Sequence, residues 1–101
     1  MDEKFKLKVI LSKQGRMRYS SQLDLVRVLE RALRRTGLPL YYTKGFNPHV
    51  KMSFTNALKL GVEGEIGVVF YFSQDTGPSL LKEKLTPQLP EGILIVDVAT
   101  V

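Results

Sequence analysis

The 101-residue chain holds one histidine, His49, within Thr43-Lys44-Gly45-Phe46-Asn47-Pro48-His49-Val50-Lys51. An imidazole titrates near neutral pH and can act as a general acid or base, for instance in metal-independent cleavage of RNA. Lys44 and Lys51 would then hold a phosphate, with Tyr41 or Tyr42 assisting. The same ring can instead hydrogen-bond within its own loop and hold that loop in shape. His49 is therefore the one candidate catalytic residue, and the loop-holding role stands beside it. The acids offer no second member of a catalytic pair. Glu63 and Glu65 flank Gly64 in an expected turn, where they would serve solubility.

Other chemistries lack their residues. Cysteine is absent, which excludes a disulfide framework, a zinc ribbon, a thiol nucleophile and a cysteine-held iron–sulfur cluster. With one imidazole, few routes lead to a transition-metal site, and neither a metal nor a cofactor is expected. Neither G-x-G-x-x-G nor G-x-x-x-x-G-K-[ST] occurs, which argues against nucleoside-triphosphate chemistry. Gly61, Gly64 and Gly67 read as a turn and a strand edge.

Basic side chains are the remaining asset. Residues 1–59 carry 13 basic and 4 acidic groups, a net of +9, whereas residues 60–101 carry 2 and 6, a net of −4. Such asymmetry suggests an anionic partner for the first part. Mutual neutralisation in the folded chain is the alternative. Single-stranded RNA would want aromatic rings beside the cations as stacking platforms. Tyr41, Tyr42, Phe46, Phe54, Phe70, Tyr71 and Phe72 are available, most of them expected in the core. Phe70 and Phe72 share one strand face and Tyr71 takes the other, without the aromatic signature of RNA-recognition-motif domains. The candidate nucleic-acid set is Arg16, Arg18, Arg27, Arg31, Arg34, Lys44, Phe46, Asn47 and Lys51.

Local patterning predicts the elements that would carry these groups. Phe5, Leu7, Val9 and Leu11 alternate with Lys4, Lys6 and Lys8, as in a half-buried strand. Ser12 to Ser20 reads as a polar, basic loop. Residues 22–36 form the clearest helix, with Ser20 or Ser21 as cap and Asp24 completing a capping-box arrangement after Ser21. At about 100° per residue, Leu25, Val26, Val28, Leu29, Ala32 and Leu33 occupy one arc about 160° wide. Arg27, Arg31, Arg34 and Arg35 fall opposite, with Glu30 placed to pair with Arg34. Gly37 supplies the stop. Leu40 to Tyr42 and Val50 to Phe54 read as extended, interrupted by Gly45 and Asn47-Pro48, with a turn at Gly61 to Gly64. Ile66 to Phe72 is β-prone. Pro78 opens a short helix capped by Asp75 or Thr76, Pro87 and Pro90 end it, and Ile93 to Val101 is a last strand.

The order is strand, helix, strand, strand, helix, strand. That is the ferredoxin-like β-α-β-β-α-β arrangement, an α+β fold with two helices on one face of a four-stranded antiparallel sheet. Lys4, Lys6 and Lys8 would then project from the open sheet face and the helix arginines from the other side, so the basic half cannot form one continuous stripe. Residues 1–101 are read as a single domain, or as the N-terminal portion of a longer architecture. No apolar run is long enough to span a membrane. Met1-Asp2-Glu3-Lys4 lacks a signal peptide's apolar core, so the expectation is a soluble, cytoplasmic protein.

Several segments together resemble a known family. These are Arg18-Tyr19-Ser20-Ser21-Gln22-Leu23-Asp24-Leu25, Leu29-Glu30-Arg31-Ala32-Leu33-Arg34-Arg35, Gly37-Leu38-Pro39-Leu40, Gly45-Phe46-Asn47-Pro48-His49 and Leu60-Gly61-Val62. They resemble the radical-SAM-linked family of uncharacterised bacterial domains, over about residue 5 to the end, most specifically at Gly45 to His49. The resemblance implies an association with a cobalamin-type radical SAM protein encoded alongside, and no catalytic residues. Gln22 stands where that family usually shows a histidine, and its members are commonly longer. Lacking cysteine, the chain cannot itself be the radical enzyme. The expected function is a non-catalytic accessory domain that binds RNA or another anionic substrate. A protein-interaction or dimerisation module without nucleic acid is the alternative, and a ribonuclease using His49 is the third reading.

Overall fold

In the first strand, β1 (Phe5–Lys13), every second residue from Leu7 to Leu11 is buried. Side chains alternate across a strand, so Leu7, Val9 and Leu11 face inward while Lys6 and Lys8 face solvent. The remaining elements are α1 (Gln22–Thr36), β2 (Met52–Phe54), β3 (Gly64–Phe72), α2 (Pro78–Leu85) and β4 (Ile93–Thr100). These bounds come from a computed structural model that describes residues 5–55 and 64–101. Lys4 and most of the turn expected at Gly61 to Gly64 lie outside the described residues.

The sheet order is β2-β3-β1-β4, all antiparallel. Both helices bury their apolar residues against one face of it: Leu25, Leu29, Ala32 and Leu33 from α1, Leu81 and Leu85 from α2. Val68, Phe70 and Phe72 of β3 meet them, each completely buried. Removing such side chains from water contributes about 2–3 kcal/mol apiece. The ferredoxin-like order read from the sequence is the order observed. The apolar arc of α1 is narrower than its sequence suggests, because Val26 and Val28 at its two edges are only half-buried.

The ends of α1 are built as expected. The Ser21 hydroxyl accepts from the Asp24 N–H at 3.1 Å, and Asp24 accepts in turn from the Ser21 N–H at 3.4 Å. Gly37 closes the helix in the left-handed conformation (φ 75°). Elsewhere the local reading is corrected. The expected basic loop at Ser12 to Ser20 begins later, because β1 runs on to Lys13, and Gly15–Tyr19 forms a 3₁₀ turn. Lys13 is almost fully buried and donates from Nζ to the Ser20 carbonyl at 2.6 Å. Its charge is thereby spent on holding the approach to α1. The cap of α2 is Gly77, with no side-chain hydrogen bond, in place of Asp75 or Thr76. Thr76 is buried and its hydroxyl donates to the Gln74 carbonyl. Pro78 does open that helix.

Gly92, which begins the approach to β4, has a role that its position in the sequence does not announce. Its carbonyl accepts from the Gln14 N–H at 2.8 Å, and its φ is +95°. A Cβ there would lie 2.7 Å from the Gln14 carbonyl oxygen and 2.8 Å from Met17 Cγ. Gly92→Ala should therefore destabilise the fold by about 1–3 kcal/mol through backbone strain alone, and Ser21→Ala by about 1 kcal/mol through loss of the cap. Urea unfolding followed by circular dichroism checks both, with the larger loss expected at Gly92.

Candidate functional site

The chain between α1 and β2 forms a narrow excursion from the sheet. Leu40 and Tyr42 make isolated antiparallel bridges to Phe72 and Val50, so 40–42 and 50–51 extend the sheet beyond β2. The Thr43 N–H donates to the His49 carbonyl at 2.7 Å, and the His49 N–H donates to the Thr43 hydroxyl at 3.0 Å. These two bonds close a loop whose tip carries Lys44, Phe46 and Asn47. Phe46 is fully exposed, at 104% of its reference area.

Glu30 joins this loop to α1. One carboxylate oxygen accepts from Arg34 Nη2 at 2.7 Å and Nε at 3.2 Å, and the other lies 3.4 Å from His49 Nδ1. The Val50 N–H donates to the same carboxylate. Burial pushes the Glu30 carboxyl up, but the bonds from Arg34 and Val50, with the charges of Arg34 and His49, outweigh it and hold the group below its usual range. Arg34 in turn lies over the Tyr42 ring, 5.3 Å from its centroid. Spacing alone predicted the Glu30–Arg34 pair. The links from Glu30 to His49 and Val50 carry no sequence signal, since they bridge about twenty residues.

Beside this cluster lies an open depression of about 660 Å³, lined by Leu23, Val26, Arg27, Glu30, Arg31, Arg34 and His49. Arg27, Arg31 and Arg34 fall within about 60° on α1, one exposed ridge. Among the described residues, Arg27 and Arg31 have no ion-pair partner. His49 presents a mostly exposed ring, 67% accessible, to the same depression.

The other expected residues are placed elsewhere. Lys44, Phe46 and Asn47 sit at the loop tip and do not line the depression. Arg16 and Arg18 belong to the 3₁₀ turn before α1, where Arg18 Nη2 donates to the Tyr19 hydroxyl at 2.9 Å. Lys51 is on the opposite side of the sheet, its Nζ 5.2 Å from the centre of the Tyr71 ring. The basic residues are thus divided among several surfaces. Among the described residues, no three of His, Cys, Asp and Glu gather in a way that could hold a metal ion. Among the described residues, no helix is long and apolar enough to cross a membrane.

Fold and site define a small α+β domain with an arginine-rich depression beside α1 that carries a carboxylate-paired histidine. The family model that matches it, over residues 6–101, is described as an uncharacterised protein conserved in bacteria, DUF2344. The chain belongs to that family. No curated protein and no solved structure matches it.

A carboxyl held below its ordinary range stabilises the fold above its unfolded-state value, and that contribution is lost as pH falls through the folded one. Acidification through and below the usual glutamate range should therefore loosen the Glu30 junction. Glu30→Gln should flatten that part of the stability profile and speed amide exchange at His49 and Val50 at neutral pH. Urea unfolding in pH steps, with hydrogen exchange at pH 7, measures both.

Proposed function

We propose that this domain is a non-catalytic accessory module that works beside a radical SAM enzyme in the cytoplasm, holding RNA or another anionic substrate. The ridge of Arg27, Arg31 and Arg34 around one depression is the observation that carries this reading. Guanidinium groups present planar forks of donors that suit phosphate oxygens. Leu23 and Val26 supply an apolar floor against which a sugar or base edge could rest. His49 serves here as a polar contact anchored by Glu30. The radical SAM partner is supported by the family resemblance of the segments around Gly45 to His49.

A second reading is favoured by Phe46. A fully exposed aromatic at a loop tip, with Tyr42 at its base, is the composition of a protein-docking anchor. In that reading the loop seats on the partner enzyme and nucleic acid plays no part.

Fluorescence anisotropy with labelled transfer RNA tests the first reading. Binding should weaken steeply with salt, with the slope reporting the number of phosphate contacts. Arg27→Glu with Arg31→Glu should cost at least about tenfold in affinity and flatten the salt slope by about two. No binding at low salt, or an unchanged double variant, rejects it. Phe46→Ala should leave RNA affinity intact if Phe46 serves the partner. Co-elution of the domain with the radical SAM protein, and its loss in Phe46→Ala, tests the second reading.

A further inference from the structure

The helices cover one face of the sheet, and the opposite face is open along β1, β3 and the 40–51 excursion. Tyr71 lies near the centre of its upper end. Cross-strand register sets Lys6 directly beside Tyr71 and Lys8 beside Val69, with Ser53 on the far side of Val69. The backbone of Tyr41 bonds to both Tyr71 and Lys51, which brings Lys51 to the other flank of the same ring. Lys6 Nζ stands 5.7 Å and Lys51 Nζ 5.2 Å from the ring centroid. The Tyr71 and Ser53 hydroxyls are 3.2 Å apart, which fixes the direction of the phenol.

We infer that this open face is a second binding site, for single-stranded RNA, with an unpaired base stacked on Tyr71 and the flanking phosphates held by Lys6, Lys8 and Lys51. Three observations converge on that occupant. The first is charge: Lys6, Lys8 and Lys51 share this end of the face, whereas Asp97 sits opposite Ile10 near its middle and Glu65 opposite Ser12 at its other end. The second is the ring itself. Phe70 and Phe72 on either side of Tyr71 are buried completely, while Tyr71 is left half-exposed and oriented by Ser53. The third is the position of the ammonium groups. A cation over an exposed ring is held weakly, and base stacking on a ring is the stronger contact, so a base can displace the lysines toward its own phosphates. A duplex cannot offer an unpaired base to a flat sheet, and so the site selects single strands. The α1 depression lies on the other side of the core, and this site does not depend on it.

The chain contains no tryptophan, so Tyr71→Trp places a lone fluorescent reporter at the proposed platform. Short fluorescein-labelled single-stranded RNA should bind the native chain by anisotropy, at least about tenfold better than the same sequence as a duplex. Tyr71→Phe should retain that affinity, and Tyr71→Ala should lose about tenfold or more. Circular dichroism melting confirms that each variant is folded. Unlabelled single-stranded RNA should quench the reporter in Tyr71→Trp. Lys6→Glu with Lys51→Glu should weaken single-strand binding and the quenching of the Tyr71→Trp reporter, which reads this face alone. No binding of the single strand at low salt, equal affinity for the duplex, or binding without tryptophan quenching would each overturn the inference. So would a folded Tyr71→Ala variant with native affinity.

Discussion

One constraint governs the molecule: a single sheet of four strands has its apolar side chains on one face, and both helices must be spent covering it. Val9, Leu11, Val68, Phe70 and Phe72 demand a lid, and α1 and α2 provide it with Leu25, Leu29, Leu33, Leu81 and Leu85. Most of the charged side chains are consequently displaced to two outer surfaces, Lys13 being buried instead. The arginines of α1 leave on the helix side, and the lysines of β1 on the sheet side. The described residues build two layers, helices on sheet.

Glu30 is the second organising contact. It faces the edge of the core yet remains ionised, because Arg34, Val50 and His49 all approach it. Through it the loop from Thr43 to His49 is referred to the helix and its arginines, as well as to the sheet. His49 thereby acquires a partner without becoming enclosed.

The element order was legible because each strong pattern was local and consistent. Alternation marked β1 and β3, the 3.6-residue period marked α1, and Ser21, Gly37 and Pro78 marked boundaries through their own backbone preferences. Misreadings occurred where burial overrode composition. Lys13 looks like part of a solvated basic loop, but the continuing strand carries it inside, where the Ser20 carbonyl takes its charge-assisted bond. Gly92 carries no signal in the sequence for the contact it makes, with the backbone of Gln14 and the side chain of Met17 close against it. Neither neighbour is near it in the chain.

The candidate site follows the same division. Sequence alone determined that Arg27, Arg31 and Arg34 share one helix face, that Glu30 reaches Arg34, and that Tyr71 opposes Phe70 and Phe72, because these follow from helical and strand periodicity. It also determined that cysteine chemistry is closed to this chain. Only the tertiary structure decided that His49 joins the arginines while Lys51 departs to the other side of the sheet with Lys6 and Tyr71. His49 and Lys51 are two residues apart and would share one face of a regular strand, but His49 still belongs to the loop closed by Thr43, at the end of the Tyr42–Val50 bridge, and there its ring turns to Glu30 of α1 while Lys51 lies over Tyr71.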